Sequence, residues 1–353
     1  MGFKKVKFNN FRNIKPREIE LDPGLNLLVG INGSGKTNIL EGINIISGWG
    51  PFEKSTKNTS LSTWESGSED VWLTGMIDSE NKEIIKIKIA NRIIIKYEEK
   101  SISATDLRWK IPVLSFLSND ISILEDSASY RRRLIDMMLA LLIPSYATRL
   151  HNYRKSIKYK SILLKKGQKT EIIDKVISPL AEWIWKMREE GVSLISDCIK
   201  EIKELVPEET EITLKKGGIN TINKTEENYL SQTAINKEKE KILKTPIVGP
   251  HRDDIIIKIK NKMAVEALSR GYRRRLAIAI ILAISDGVKR KLGINPVLLL
   301  DEITAELDSD GREQLYQALL QRKTQVIAAT AEPNIEKFPG KIHRVSEGSV
   351  EKE

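Results

Sequence analysis

The sequence predicts an α/β fold into which a mainly helical lobe is inserted. Short apolar strands alternate with helices near both ends of the chain, as in 25–46 and 297–329. Between about 126 and 243 the apolar residues recur instead at helical spacing, for example at Ile173, Val176 and Leu180. We therefore expect residues 1–120 and 246–353 to form the two parts of one α/β domain, and residues 121–245 to form the helical lobe.

Length and composition limit the possible classes of protein. The 353 residues suffice for roughly two domains, and 58 Lys and Arg against 48 Asp and Glu give a net charge of +10, which favours a polyanionic partner. The longest apolar runs, 137–143 and 276–284, are shorter than the ~18 residues that cross a bilayer, and the N-terminus has no apolar signal region. The single cysteine, Cys198, excludes an internal disulfide and a cysteine-rich zinc site. We expect a cytoplasmic protein with no membrane partner.

The α/β part is expected to begin with two short strands, 4–8 and 18–21, on either side of a turn at 11–14. A continuous apolar strand at 25–29 then leads through a glycine-rich loop into a helix at 38–46. Residues 71–97 alternate between apolar and polar side chains, which predicts a three-stranded antiparallel meander. Beyond the lobe we expect strands at 255–259, 297–300 and 325–329 and helices at 269–292 and 309–322.

The glycine-rich loop has the complete G-x-x-x-x-G-K-[ST] pattern between a strand and a helix, which is the context that a nucleotide-binding P-loop requires. Its backbone N–H groups and Lys36 suit the phosphates of ATP, and the Thr37 hydroxyl suits Mg²⁺. A chance match is the weaker alternative, because both flanking elements are present. The predicted ATP-binding residues of the loop are Gly30, Ile31, Asn32, Gly33, Ser34, Gly35, Lys36, Thr37 and Asn38.

Two adjacent carboxylates follow the apolar strand at 297–300. Asp301 is placed to bind Mg²⁺ through water, and Glu302 is placed to polarise an attacking water as the general base. Taken alone, an apolar strand that ends in Asp-Glu is more often structural. Together with the glycine loop the pair indicates hydrolysis, so we predict Glu302, Lys36 and Asp301 as catalytic residues and Thr37 and Asp301 as metal ligands.

The helix at 269–292 opens with Ser269-Arg270-Gly271. Ser269 is an N-cap and Gly271 a small residue at a helix N-terminus, where a hydroxyl, free N–H groups and the helix dipole favour an anion. This segment resembles the signature of ABC-type ATPases, which is presented to the ATP held by a second protomer. Residues 305–308, which end at Asp308, similarly resemble the D-loop of that class. The resemblance implies a P-loop NTPase of the ABC-ATPase head type.

Segments 11–14, 33–38, 131–136 and 249–254 resemble the RecF family of bacterial recombination mediators, and the likeness runs from about residue 3 to 349. The middle lobe is too short for the long coiled coil of an SMC protein. The resemblance implies a head that dimerises on ATP, binds double-stranded DNA near single-strand gaps, and acts with RecR and RecO to place the recombinase on single strands. It also implies that Arg12 approaches the nucleotide, although a solvated loop arginine is an equal alternative.

The sequence departs from the ABC-type pattern at several positions. Arg270 and Tyr272 replace the common Gly and Gln of the signature, and Thr330 stands where transporters place a switch histidine. Asn119 falls where the Q-loop glutamine is expected, and it either contacts Mg²⁺ or the lytic water or is an ordinary turn residue. His251 is either catalytic or, more commonly for a lone histidine in a Gly-Pro turn, a structural hydrogen-bonding residue.

The segment 137–170 contains no Asp or Glu but eight Lys and Arg. On one helix, four of these residues fall on a single face, opposite apolar side chains. Such a row binds backbone phosphates without sequence specificity, whereas a merely solvated basic helix is the alternative. The predicted DNA-binding residues are Arg154, Lys155, Lys158, Lys165 and Lys169.

We interpret the chain as an ATP-dependent DNA-binding protein of recombinational repair. In this interpretation two heads enclose two ATP molecules, hold duplex DNA, and release it on slow, DNA-stimulated hydrolysis. The expected cofactors are ATP and Mg²⁺, and the expected partners are double-stranded DNA and gap junctions, a second copy of the chain, RecR and, as a further candidate, RecO. Two alternatives stay open: another ABC-type or P-loop NTPase that does not act on DNA, and a DNA-binding scaffold with vestigial ATPase chemistry.

Overall fold

The structure is a computed structural model that describes residues 2–53, 58–63, 70–79, 82–118, 123–125, 127–206, 209–219, 228–302, 304, 307–332 and 338–352. The chain divides into two compact units. The head unit comprises Met1–Ser122 and Ser269–Glu353, and the lobe unit comprises Ile123–Leu268. The head unit is thus assembled from both ends of the chain.

The helices and strands follow one another in three groups. The first group, in the head unit, contains β1 (Phe3–Asn9), β2 (Arg17–Glu20), β3 (Leu25–Val29), α1 (Lys36–Ile46), β4 (Val71–Ile77), β5 (Ile84–Ile89), β6 (Ile93–Tyr97), β7 (Lys100–Ser101), α2 (Ala104–Lys110) and β8 (Val113–Phe116). The lobe unit contains α3 (Ala128–Leu142), α4 (Tyr146–Lys165), α5 (Glu171–Ile199), β9 (Thr210–Lys215), α6 (Tyr229–Ile235), α7 (Lys237–Leu243), β10 (Asp254–Ile259), β11 (Lys262–Met263) and α8 (Ala264–Ala267). The head unit resumes with α9 (Arg270–Leu292), β12 (Val297–Asp301), α10 (Ser309–Gln321), β13 (Val326–Thr330), β14 (Lys341–Ser346) and β15 (Ser349–Lys352).

One sheet of the head unit is antiparallel, with the strand order β2-β1-β4-β5-β6-β7. The meander predicted for 71–97 is formed by β4, β5 and β6. Its side chains alternate as predicted, since Ile85 and Ile87 are buried while Lys86 is exposed. One face of this sheet therefore belongs to the core of the head.

The other sheet of the head is mainly parallel, with the order β15-β14-β3-β13-β12-β8. Within it, only the β14–β15 pair is antiparallel among the strands that the structure describes. Every residue of β3, β12 and β13 is buried, which explains why these strands read as continuous apolar runs. Because β3 and β12 run in the same direction, the glycine loop after β3 and the carboxylates that end β12 lie at the same edge of the sheet.

Helix α1 joins the two sheets into one core. A single buried cluster contains Phe8 of β1, Ile43 of α1, Leu73 of β4, Leu299 of β12 and Ile327 of β13. The position of α1, and hence of the loop at its N-terminus, is fixed by this packing on both sides.

The apolar run 276–284 lies inside α9 and is buried in the head unit. Ser269 is the N-cap of α9, and Gly293 ends the helix in the left-handed region with a φ of 70°. Among the helices of the described ranges, none is long and apolar enough to cross a membrane.

The lobe unit combines helices with a three-stranded antiparallel sheet of order β11-β10-β9. The sequence division assigned residues 246–268 to the α/β domain, whereas the structure places them in the lobe unit. The physical reason is β9, which the sequence analysis does not predict. It pairs with β10 along its whole length, for example through Ile255 opposite Leu214, and holds that strand in the lobe.

Candidate nucleotide site

The glycine loop between β3 and α1 has a backbone that favours glycine at several points. Gly33 and Gly35 lie in the left-handed region, with φ of 80° and 113°. A Cβ on Gly30 would collide with the carbonyl oxygen of Val345. The loop therefore needs its glycines to turn from the strand into the helix, and this turn exposes backbone N–H groups at the helix N-terminus.

Lys36 and Ser34 supply the polar side chains of the loop. The buried Lys36 ammonium donates to the carbonyl oxygens of Gly30 at 2.8 Å and Ile31 at 3.1 Å. The Ser34 hydroxyl is buried and has no hydrogen-bond partner among the described residues. The Lys36 cation is held only by neutral carbonyls, and the Ser34 hydroxyl is unsatisfied. Both groups fit the oxygens of a phosphate group bound in the glycine loop.

Thr37 and Asp301 meet at the shared edge of the parallel sheet. The Thr37 hydroxyl lies 3.2 Å from each carboxylate oxygen of Asp301. Burial raises the pKa of Asp301, while the hydrogen bond from Thr37 acts in the opposite direction. Hydroxyl and carboxylate oxygens are ligands that Mg²⁺ accepts. No group of three or more His, Cys, Asp and Glu that could hold a metal occurs in the part of the chain that is described. The donor set fits an ion that completes its shell with phosphate oxygens and water.

Glu302 has an unusual backbone conformation for a residue that carries a side chain. Its φ is 53°, in the left-handed region. Its N–H donates to the Ala329 carbonyl at 2.9 Å, and its carboxylate accepts from the N–H of Ala331 at 3.3 Å. The neighbouring Thr330, at the switch position, is buried and its hydroxyl lies 3.2 Å from that of Thr304. The strained turn thus sets the carboxylate against the end of β13, beside Asp301.

Arg12 has a partner that the sequence analysis does not predict. Its guanidinium forms a salt bridge with the buried Glu41 of α1, at 2.9 Å, and donates to the carbonyl of Ser60. This ion pair holds the Arg12 side chain against α1, and a role beside the nucleotide stays a prediction. In the same turn, Asn13 donates to the Gly33 carbonyl and accepts from the Asn38 side-chain amide at 2.8 Å. The 11–14 turn thereby supports the glycine loop.

The signature segment is exposed at the start of α9. Ser269 makes no side-chain capping bond, and a Cβ on Gly271 would meet no atom within 4 Å. The Asp308 carboxylate caps α10 through the N–H of Gly311 at 2.8 Å and also accepts from Arg275 of α9 at 2.9 Å. Arg275, missed in the sequence, links the signature helix to the predicted D-loop. Of that loop, residues 305 and 306 lie outside the described residues, as does Asn119.

His251 lies in the lobe unit, and both of its ring nitrogens have partners. Nε2 is 3.1 Å from the carbonyl oxygen of Pro246, so it carries the proton and Nδ1 accepts from the Tyr153 hydroxyl at 2.6 Å. Gly249 has a φ of 130° and leaves no room for a Cβ beside that hydroxyl. This geometry supports the structural alternative for His251.

The predicted DNA-binding residues do not lie on one helix. Lys155, Lys158 and Lys165 are exposed on α4, but the helix ends at Lys165, and Lys169 lies in the connection to α5. The prediction that Lys169 shares the face of α4 is therefore wrong, because Gly167, with a φ of 66°, ends the helical path. Arg154 is half-exposed and forms a salt bridge with Asp136 at 3.0 Å.

Comparison with known proteins decides the family. The chain matches the family described as RecF/RecN/SMC N terminal domain over residues 3–349. It is 30% identical to the DNA replication and repair protein RecF of Clostridium tetani (strain Massachusetts / E88), with 99% of each chain covered. The chain belongs to the RecF family. The resemblance inferred from the sequence motifs is thereby confirmed.

Other RecF proteins and solved structures support the same assignment. The RecF of Leptospira interrogans serovar Lai is 29% identical, with 97% of this chain and 95% of the relative covered. The solved structure of the recombination mediator protein RecF-ATPrS in the RecFOR pathway has a TM-score of 0.85 at 23% identity and covers 99% and 97% of the two chains. An SmcHead structure bound to the C-winged helix domain of ScpA has a TM-score of 0.60 at 17% identity, over 99% and 96%. The predicted fold class, an ABC-type ATPase head with an inserted lobe, is confirmed.

Proposed function

We propose that this RecF-family chain is an ATPase that acts in DNA repair by binding duplex DNA as an ATP-dependent dimer. The observation that carries the proposal is the meeting of Thr37 with Asp301 beside the buried ammonium of Lys36. The curated relatives are named DNA replication and repair proteins, and a structurally similar chain is described with ATP. The first name supports a role in DNA repair, and the second supports ATP as the nucleotide.

The residues of the head divide the chemistry among them. The loop N–H groups and Lys36 bind and orient the phosphates, and Thr37 and Asp301 would hold Mg²⁺. When bound, Mg²⁺ neutralises negative charge that develops on the transferred phosphoryl group. Glu302 accepts the proton of the attacking water, for which its fixed position at the end of β13 is suited.

The exposed signature segment supports the proposed dimer. Ser269 and Gly271 are exposed at the N-terminus of a 23-residue helix, and the side chain of Ser269 makes no capping bond there. A hydroxyl and free N–H groups at that position suit the γ-phosphate of ATP bound to a second copy. Loss of this phosphate on hydrolysis removes the contact, so the dimer separates.

The test is the oligomeric state of a variant that binds ATP without hydrolysing it. Glu302→Gln keeps the size of the side chain but removes the base, so ATP stays intact and the protein accumulates as a dimer. Adding Ser269→Arg places a bulky cation in the anion site and returns the protein to monomers. Light scattering after size-exclusion chromatography measures both. A Glu302→Gln protein that binds ATP and stays monomeric, with or without DNA, contradicts the dimer mechanism.

The DNA surface is proposed on the exposed side of α4. Lys155 and Lys158 lie there without an acidic partner in the described part of the lobe, and the chain carries a net charge of +10. Lysine contacts of this kind bind the phosphates of DNA whatever its base sequence. Recognition of a duplex beside a single-strand gap requires such sequence-independent binding. One structurally similar protein is assigned to the RecFOR pathway, which supports RecR and RecO as partners.

A double charge reversal tests this surface. Lys155→Glu with Lys158→Glu reduces the slope of log affinity against log salt by about 2 and weakens duplex binding, while ATP binding is unchanged. The matched control is Lys186→Glu with Lys203→Glu, which reverses two exposed lysines elsewhere in the lobe unit. Fluorescence anisotropy of a labelled duplex measures both. Equal DNA affinities for the two double variants would place the DNA surface elsewhere.

A further inference from the structure

The lobe unit contains an open groove that the nucleotide and DNA proposals do not use. Its volume is about 830 Å³, and its walls are the end of α4, the start of α5, and the helices α6 and α7. The apolar side chains that line it include Leu164, Leu230 and Ala234. Leu230 is 42% exposed although it is a large aliphatic residue. An apolar lining within a concave site is typical of a binding site rather than of a solvated surface.

The rim of the groove is strongly basic. Three carboxylates also line it: Asp174 and Glu240 share the buried Lys160 beneath, and Glu171 pairs with a lysine of the rim, Lys237. The seven lysines of the rim are Lys165, Lys166, Lys169, Lys175, Lys237, Lys241 and Lys244. The groove therefore presents an excess of positive charge around an apolar lining.

The floor of the groove is held rigid by buried charges. Lys160 is completely buried and lies 2.9 Å from Asp174 of α5 and 2.6 Å from Glu240 of α7. The Tyr229 hydroxyl donates to Asp174, and Glu240 accepts from the backbone N–H of Ile247 at 2.8 Å. These bonds tie four helices at one point, so the groove is formed before any partner binds, which lowers the entropic cost of association.

We propose that this groove binds an acidic amphipathic peptide segment of a partner protein, in which aliphatic or aromatic side chains are interleaved with Asp and Glu. The apolar lining requires apolar side chains, and the lysine rim requires carboxylates, so one segment must supply both. Duplex DNA satisfies the rim but offers no aliphatic side chain to cover the exposed Leu230. Lys165 and Lys169, grouped in the sequence with the DNA-binding residues, are thereby assigned to the rim.

The experiment uses the full-length chain and a synthetic peptide library in which Leu and Phe alternate with Asp and Glu. Two matched libraries serve as controls. In one, Asn and Gln replace the acids, which tests the need for negative charge; in the other, Ser replaces the apolar residues, which tests the need for apolar side chains. Leu230→Asp places a charge in the lining, and Lys165→Glu with Lys169→Glu reverses the rim. Ile235→Asp is the matched control, because Ile235 lies on the same short helix, is 61% exposed, and does not line the groove.

We expect the acidic amphipathic library to bind, and each groove variant to weaken its affinity by about tenfold or more, while Ile235→Asp leaves it unchanged. The amide and Ser libraries bind weakly to the unaltered chain. Absence of binding by the acidic amphipathic library overturns the proposal, as does equal binding of the Ser library. A loss of duplex DNA affinity in Leu230→Asp, with peptide binding unchanged, assigns the groove to nucleic acid instead.

Discussion

Arg188→Met is expected to destabilise the lobe unit strongly. The guanidinium is almost fully buried in α5 and donates to Asp136 at 2.9 Å and to Asp253 at 2.8 Å. Burial alone lowers its pKa, but the two carboxylates outweigh burial and raise it. Without Arg188, Asp136 still accepts from Arg154 and the Tyr146 hydroxyl.

Asp253 has no such substitute. Within the described residues, the other hydrogen-bond donors to the Asp253 carboxylate are neutral. They are the Trp185 indole N–H and the backbone N–H of Gly217, both at 2.8 Å. Removing one partner of a buried ion pair typically costs about 3–5 kcal/mol. We therefore expect a loss of about 4 kcal/mol and a fall in Tm of about 10 °C for the lobe unit. Adding Asp253→Asn removes the uncompensated charge and recovers part of the loss.

Urea denaturation and hydrogen exchange measure this prediction. The exchange rates should rise in α3 and α5 of the lobe unit and stay unchanged in the β3–β13–β12 sheet of the head unit. Lys200→Met is the control, because the Lys200–Asp197 side chains are 66% and 58% exposed, and we expect no measurable change. A loss below about 1 kcal/mol for Arg188→Met, or no recovery with Asp253→Asn, would refute the reasoning.

Two further predictions concern the glycine loop and the buried histidine. Lys36→Ala removes the cation from the loop and should weaken ATP binding about 10- to 100-fold, as measured by calorimetry. The control Lys15→Ala, at an exposed lysine, should leave the affinity unchanged. Wild-type affinity in Lys36→Ala would show that the loop is not the ATP site. Burial lowers the pKa of His251 from 6.5 to about 4, so the unfolded chain binds the proton first as the pH falls, and stability is lost between these two values. By pH 4 the loss in the free energy of unfolding is about 3 kcal/mol. Urea titrations of the unaltered protein at neutral pH and at about pH 4.5 should show most of this loss, whereas the same pair of titrations of His251→Gln should not. An identical pH dependence in both proteins would contradict the assignment.

The head of the protein could be predicted from its sequence because its signals are local. Three of its strands are buried on both faces and read as uninterrupted apolar runs, and the loop glycines are required by the backbone itself. Asp301 could be matched to Thr37 because the carboxyl ends of parallel strands share an edge. Strands β14 and β15 escaped prediction, since they are short and partly polar and depend on pairing with β3 and with each other.

The lobe was harder to predict because its organisation depends on contacts between residues distant in sequence. Lys160 lies among other lysines and reads as a surface residue, yet it is completely buried with Asp174 and Glu240. One signal was present: Lys160 is seven residues after Tyr153 and four before Leu164, both of which are buried on α4. Helical spacing alone placed it on the apolar face, but only its two carboxylate partners explain how a charge can lie there.

The two buried ion networks of the lobe can specify its geometry as well as contribute to its stability. Arg188 joins residues 136 and 253, and Lys160 joins residues 174 and 240, so each cation connects segments that are far apart in the chain. Well-packed apolar side chains of equal volume are often as stabilising as a buried ion pair, because both charges must lose their hydration. Apolar contacts, however, tolerate sliding, whereas a charge must meet its partner in one geometry. We infer that the networks fix the register of α3, α4, α5 and α7, and that the shape of the lysine-rimmed groove follows from that register.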